Sequence, residues 1–333
     1  MQFAGLVFIV AVALGFNYTN GFHDAANAIA TSVGTRALKP RTALAMASVM
    51  NLIGALIATG VAATVGEGII HLSAGDGTHG LVVVLGALIG AIAWNLVTWY
   101  YGLPSSSTHA LVGGLVGAAL VSSTTVKWAG LLDKIVIPMV VSPLLGLVVG
   151  YIVMVAIMWL FRRGSPAKLG RGFRLSQTAS AAAVALGHGL QDGQKTMGVI
   201  VLALVVTNHH HGFGVPLWVK LSCAATMSAG TWAGGWRVMR TLGRRVIHLD
   251  PARGFAAEAT SSVILYVTAF VFQAPISTTH VITSSILGAG ATKRFSAVRW
   301  GIAGNIMVAW ILTLPAAAGI AAVAYEIIHL FVH

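Results

Sequence analysis

The chain has 333 residues, 57% of them hydrophobic and only 8% charged, with a formal net charge of +12. Soluble domains carry about 25% charged residues, so this composition cannot build a water-facing shell, and a helical membrane protein is expected. The positive charge does not mark a nucleic-acid binder, because Lys and Arg sit in short segments between apolar runs, and the single Cys223 excludes internal disulfides.

At the N-terminus, MQFAGLVFIVAVALGF lacks the basic stretch of a cleaved signal peptide and is read as the first membrane helix. NYTNGFHD interrupts the apolar pattern of 3–34. Further apolar runs follow at 42–65, 80–101, 104–121, 135–161, 176–206, 216–236, 255–273, 275–292 and 297–331. GHGLQDGQK interrupts the run at 176–206. Neither interruption has the composition of a water-facing loop, so both are expected to be broken or re-entrant helices lining a cavity.

Most basic residues fall in four segments: Arg36 to Arg41, Arg162 to Arg174, Arg237 to Arg253, and Lys293 to Arg299. Segments 66–79 and 207–215 have no Lys or Arg, and 122–134 has only Lys127 and Lys134. The positive-inside rule places the first four in the cytoplasm and the other three, with both termini, outside. The basic loops also suit anionic lipid. LPSSSTHA and APISTTHV recur at an offset of 171 (His109 to His280), and FHDAANAIA and LQDGQKTMG at 168 (Asp24 to Asp192). Each loop of the first half then lies on the opposite side from its partner in the second. The expected fold is an all-α polytopic membrane protein with broken helices and re-entrant helical hairpins. It has two inverted-topology repeats, 1–161 and 176–333, joined by a basic cytoplasmic linker at 162–175. Many secondary transporters use this architecture for alternating access.

Pro104 and Pro275 suit the first turn of a helix. They place Ser105, Ser106, Ser107 and Thr108, and Ser277, Thr278 and Thr279, at helix N-termini, where backbone N–H groups and the dipole attract anions. Two such ends facing each other near the midplane would hold a tetrahedral oxyanion with neutral donors and still release it. The plainer alternative, hydroxyls bonded back to helix carbonyls, does not explain two matched runs, each after a Pro and before a His.

Asp24 and Asp192 lie in apolar surroundings, where a carboxylate is expensive and a functional candidate by default. Beside an anionic substrate each needs a cation or a proton, which makes both cation-coupling candidates. Asn27 shares the helix face of Asp24; the equivalent position after Asp192 is Lys195, with Gln194 beside it. The Lys195 ammonium is expected to stand in for a coupling cation; the plainer alternative is a structural Asp192–Lys195 pair. His23, His109, His188 and His280 are candidates for proton relay, against the commoner histidine bonded to a carbonyl. Glu258 is expected to be an interfacial partner of Arg253, the alternative being a gate.

These segments resemble the inorganic phosphate transporter (PiT) family. GFHDAANAIATSVGTRAL and GHGLQDGQKTMG are similar to its two signatures, and WNLVTWYYGLPSSSTHALVGGLVG and FQAPISTTHVITSSILGA to its two hydroxyl motifs. GFAAEATSSV is similar to the segment before the second motif. The likeness spans nearly the whole chain. It implies a symporter of the bacterial cytoplasmic membrane that imports inorganic phosphate with a cation, works as a homodimer and needs no cofactor. It further implies that Ser105, Ser106, Ser107, Thr108, Ser277, Thr278, Thr279 and Gln194 meet the substrate, with Lys195 counted beside them, and that Asp24, Asn27 and Asp192 couple the cation. Two departures, Gln191 and Lys195 where many members have Asn, favour protons over sodium and a metal–phosphate complex as one form of the substrate. The long central insertion of other members is reduced here to 162–174.

Other classes fit less well. Phosphate near neutral pH carries a proton that a carboxylate can accept, whereas sulfate carries none; a sulfate or other oxyanion permease is therefore the second reading. Ser106 and His109 have hydrolase-like spacing, but the motif occurs twice and no nucleophile-elbow signature appears, so no enzyme is expected. A passive anion channel would have no use for two buried carboxylates.

Overall fold

The computed structural model describes residues 2–332, apart from the side chain of Arg244. Helices dominate, and among the described residues there is no β-strand, only an isolated antiparallel bridge between Ile70 and Val126. In the first half, α1 (Gln2–Gly34), α2 (Pro40–Ile57), α3 (Gly60–Gly68), α4 (Gly77–Tyr101) and α5 (Ser107–Val121) precede α6 (Trp128–Leu131) and α7 (Ile137–Leu160). In the second, α8 (Pro166–Val206), α9 (Leu217–Ala233), α10 (Trp236–Arg240), α11 (Pro251–Val267), α12 (Thr278–Ala291) and α13 (Trp300–His329) follow. A π-helical turn at Leu132–Val136 joins α6 to α7, and one at Thr268–Phe272 extends α11. Among the described residues, six stretches are long and apolar enough to cross a membrane: α1, α2, α4, Trp128–Leu160, Pro251–Phe272 and α13. Their outward faces are apolar, with Leu144, Val148, Val308 and Ile311 exposed, as a lipid solvent requires.

Three expectations are corrected. First, α1 and α8 are unbroken over 33 and 41 residues. Neither motif contains an internal proline, and Asn17, His23, Asp24, His188, Gln191 and Asp192 find partners on neighbouring elements, though the buried Asn20 amide finds none, so the backbone ladder is kept. The breaks fall instead at the hydroxyl motifs, where extended backbone joins α4 to α5 and α11 to α12, and each break follows a residue at positive φ, Gly102 at 67° and Gln273 at 48°. Second, Pro104 and Pro275 lie in those extended stretches. Ser106 and Ser277 are the N-caps, accepting from the backbone N–H of His109 and His280, so the helices begin at Ser107 and Thr278. Third, the linker is mostly helical: Pro166 at the first position opens α8, leaving only 161–165 as a turn.

The two halves exchange partners. α1 packs along α9 and α2 along α8, while α5 packs along α13 and α12 along α7. Glycines set these crossings. A Cβ at Gly54 would lie 2.2 Å from the carbonyl oxygen of Leu186, and one at Gly189 2.3 Å from that of Asn51, so α2 and α8 touch backbone to backbone. Along both α1 and α8 the polar stretch falls between two apolar clusters. One holds Phe16 and Met197, the other Ala25 and Val184, which leaves 17–24 and 186–196 near the middle of the molecule. Gly54→Ala is expected to cost about 1–3 kcal/mol by overpacking, read as a lower Tm in detergent. Gly15→Ala, whose Cβ meets nothing within 4 Å, should leave the Tm unchanged or raise it.

Candidate functional site

Each hydroxyl tip arrives at a carboxylate. Asp24 comes from the middle of α1 and Asp192 from the middle of α8, and both are buried. Ser107 donates to Asp24 Oδ2 at 2.8 Å, and Thr279, from the opposite half, reaches Asp24 Oδ1 at 3.4 Å. Asn27 Nδ2 donates to Thr279 Oγ1 at 2.8 Å, while its Oδ1 has no protein partner. Thr278 reaches Asp192 Oδ2 at 3.3 Å. Lys195 pairs with Asp192 Oδ1, and its ammonium also donates to Thr108 Oγ1 and, at 3.2 Å, to the carbonyl of Ile276. Thr108 donates to that same carbonyl at 3.2 Å. One lysine therefore ties α8 to both tips.

The predicted residues divide by position. Asp24, Asn27, Ser107 and Thr279 form one buried hydrogen-bonded group and Asp192, Lys195, Thr108 and Thr278 a second, and the two lie side by side, with side-chain atoms of Asp24, His188 and Asp192 within 4.8 Å of one another. Ser105 stands one step back, donating to Thr98 at 2.8 Å. Ser106 and Ser277 spend their oxygens on capping. Gln194 faces away: it accepts from the backbone N–H of Val61 at 2.8 Å and donates to the Leu190 carbonyl at 2.6 Å, closing the gap between α2 and α3. Two of the four histidines lie against the carboxylates. His23 Nδ1 is 2.6 Å from Asp24 Oδ1, and His188 Nε2 is 3.1 Å from Asp192 Oδ2. His109 and His280 instead face each other behind the tips, ring centroids 4.7 Å apart, with His280 stacked on Trp310.

Glu258 does not meet Arg253. It is buried and accepts from Thr31, Ser180 and Gln177, whereas Arg253 pairs with Asp250 at the start of α11. Five residues of helix separate the two by well over a quarter-turn, so they face different sides. Sequence reasoning missed Asn51 and Thr98. Asn51 Oδ1 lies 3.0 Å from His188 Nδ1, and Thr98 Oγ1 lies 3.1 Å from His23 Nε2. An amide or hydroxyl inside an apolar run was the available signal.

The Phosphate transporter family model matches residues 20–171 and 162–321. The chain belongs to the phosphate transporter family. It is 42% identical over 327 residues to a "Probable low-affinity inorganic phosphate transporter" of Bacillus subtilis (strain 168), covering 97% of each chain. It is 45% identical over 329 residues to a protein of the same description from Rhizobium meliloti (strain 1021), covering 98% of this chain and 97% of that one. Its fold matches a solved structure described as "The sodium-dependent phosphate transporter", with a TM-score of 0.90, 23% identity, and coverage of 98% and 99%.

The serines divide into a cap, Ser106, and a donor to the buried carboxylate, Ser107. Ser106→Ala is expected to lower stability by about 1 kcal/mol, seen as a lower Tm with the KM for phosphate little changed. Ser107→Ala, which removes a donor from Asp24, should raise KM or lower the rate of uptake by about tenfold, the worth of one charge-assisted hydrogen bond.

Proposed function

We propose that the protein imports inorganic phosphate, alone or as a metal–phosphate complex, across the bacterial cytoplasmic membrane by symport with a cation, the proton being favoured over sodium. The carrying observation is that tips from both halves converge on one buried pair of carboxylates. Neutral hydroxyls and the N-terminal N–H groups of α5 and α12 offer donors to a tetrahedral anion, while Lys195 supplies one fixed positive charge. Asp24 and Asp192 keep that anion from binding tightly unless a cation enters with it, and this is the physical basis of coupling.

Two inverted repeats, 1–161 and 176–333, are the arrangement we propose for alternating access. The reciprocal pairing of α1 with α9, α2 with α8, α5 with α13 and α12 with α7 supports it. On this reading both termini face outside, the basic segments face the cytoplasm and anionic lipid, and the working unit is a homodimer. Asp24, Asn27 and Asp192 serve the cation; Ser107, Thr108, Thr278, Thr279 and Lys195 serve the phosphate. Ser105 supports them through Thr98, and Ser106, Ser277 and Gln194 hold the tips and the α2–α3 gap in place.

Uptake of radiolabelled phosphate into proteoliposomes tests this, with proton and sodium gradients imposed separately and excess sulfate as competitor. The reading expects accumulation driven by the proton gradient and unaffected by sulfate. Accumulation driven only by sodium would reject the proton. Competition by sulfate would move the oxyanion-permease reading to the front. Lys195→Asn should add sodium dependence to uptake; uptake that remains indifferent to sodium would reject Lys195 as a stand-in for a cation.

A further inference from the structure

The chain of hydrogen bonds behind Asp192 has its direction fixed at its far end. The carbonyl of Met227 can only accept. Thr231 Oγ1 donates to it at 2.9 Å and so receives the Asn51 amide hydrogen at 2.8 Å. Asn51 therefore turns its acceptor, Oδ1, toward His188 Nδ1 at 3.0 Å, and that nitrogen carries a hydrogen. In a neutral imidazole the other nitrogen, Nε2, is then a bare lone pair. It is buried, no group donates to it, and it lies 3.1 Å from Asp192 Oδ2. Two lone-pair atoms at that distance, away from water, repel each other. A hydrogen between them turns the same contact into a charge-assisted bond. Because Lys195 holds Asp192 through its other oxygen, the carboxylate form is favoured and the hydrogen belongs to the ring.

His23 has an alternative. Thr98, 3.1 Å from its Nε2, gives its hydrogen to the Trp94 carbonyl, but Ser105, at 3.4 Å, can turn its single hydrogen from Thr98 to that nitrogen. A neutral His23 can then give its Nδ1 hydrogen to Asp24. No hydroxyl rotor stands beside His188 Nε2, so the fixed demand for an extra proton is in the second half.

We infer that the coupling proton is carried on His188, held between its Nε2 and Asp192 Oδ2. This rests on the reading of the protein as a phosphate:cation symporter. A proton from one side of the membrane binds the Nε2 lone pair and later leaves it to the other side, and no other bond forms or breaks. Loaded, the site sets an imidazolium and an ammonium against two carboxylates, so an arriving phosphate meets less repulsion. Proton and anion then strengthen each other's binding by the same factor.

The charged and titratable groups facing His188 are Asp192 and Lys195 on its own helix, and Asp24, with His23 behind it, on α1. On the other helices packed against α8 such groups lie elsewhere. Arg41, Glu67 and His79 are exposed and Lys220 is half-buried. Glu258 is bonded to Ser180, Arg253 is paired with Asp250, the Tyr266 hydroxyl donates to the Ala183 carbonyl, and His280 lies on Trp310.

The test uses the full chain in proteoliposomes, following phosphate accumulation and proton influx between about pH 5.5 and 8, the range in which histidine titrates. His188→Gln cannot carry a proton. Its steady-state phosphate ratio should fall to that expected without a proton gradient, and any exchange that remains should vary with pH only as the ionisation of phosphate itself does. Asn51→Asp keeps an acceptor on Nδ1 and adds a negative charge that favours imidazolium, so the alkaline limb of uptake should move upward by about one pH unit. Concentrative uptake by His188→Gln with the wild-type pH profile, or an unshifted profile in Asn51→Asp, would overturn the inference and leave the symport reading standing. Absence of phosphate uptake by the wild type under any gradient would remove that reading itself. Should neither variant fold, nitrogen-15 NMR of wild-type histidines decides. One buried ring is expected to hold hydrogens on both nitrogens at acidic pH and to lose the Nε2 hydrogen on alkalinisation; a ring that keeps one tautomer throughout would contradict the proposal.

Discussion

Two carboxylates buried in an apolar interior are the constraint on which the rest of the arrangement depends. Asp24 and Asp192 are each almost wholly removed from solvent, and an isolated carboxylate there is expensive. Each is made tolerable by donors, at least one of them from far away in sequence. Thr279 crosses from the second half to Asp24, and Lys195 joins Asp192 to Thr108 of the first. The carboxylates thus act as the anchor points at which two separately broken helices must end. Moving either tip away from the centre would strand a charge, so opening the site to one side has to be matched by something that replaces the lost donors. On the proposed symport reading, the cation that enters with phosphate is such a replacement.

The same geometry explains why so much glycine lies at the crossings between halves. The tips reach the carboxylates only if α2 lies on α8 and α1 on α9 at backbone distance, which the Gly54–Leu186 and Gly189–Asn51 approaches allow. The α2–α8 crossing also sets Asn51 beside His188. On the proposed role of His188, packing and proton chemistry are therefore linked through a single helix pair: a side chain at Gly189 would push away the amide that meets His188.

Much of this was legible in the sequence because a polar residue in an apolar run has few structural excuses. Asp24, Asp192 and the two hydroxyl runs stood out on that ground, and Ser107, Thr108, Thr278 and Thr279 of those runs lie at the two carboxylates and their lysine. The Asp192–Lys195 pair was the plainer of two readings of that lysine, and it is present. What escaped was whatever depended on tertiary partners. Gln194 looks like part of the motif, yet its amide closes the α2–α3 gap. Ser106 and Ser277 resemble their neighbours, yet one residue of helical register makes them caps. The unbroken paths of α1 and α8 were hidden because polar composition imitates a loop when the helices that satisfy it are unseen. Asn51 drew no notice because a lone amide carries no pattern; only the bonds to His188 and Thr231 give it a role.

The central claim is that both halves build one binding site. Equilibrium binding of radiolabelled phosphate to the purified protein tests it most directly, comparing the wild type with Thr279→Val, which removes the donor that the second half extends to Asp24. One phosphate per chain, with the whole isotherm weakened in Thr279→Val, is the predicted result. Two phosphates per chain, or a Thr279→Val protein that keeps half the wild-type capacity at wild-type affinity, would mean two independent sites and would contradict the account.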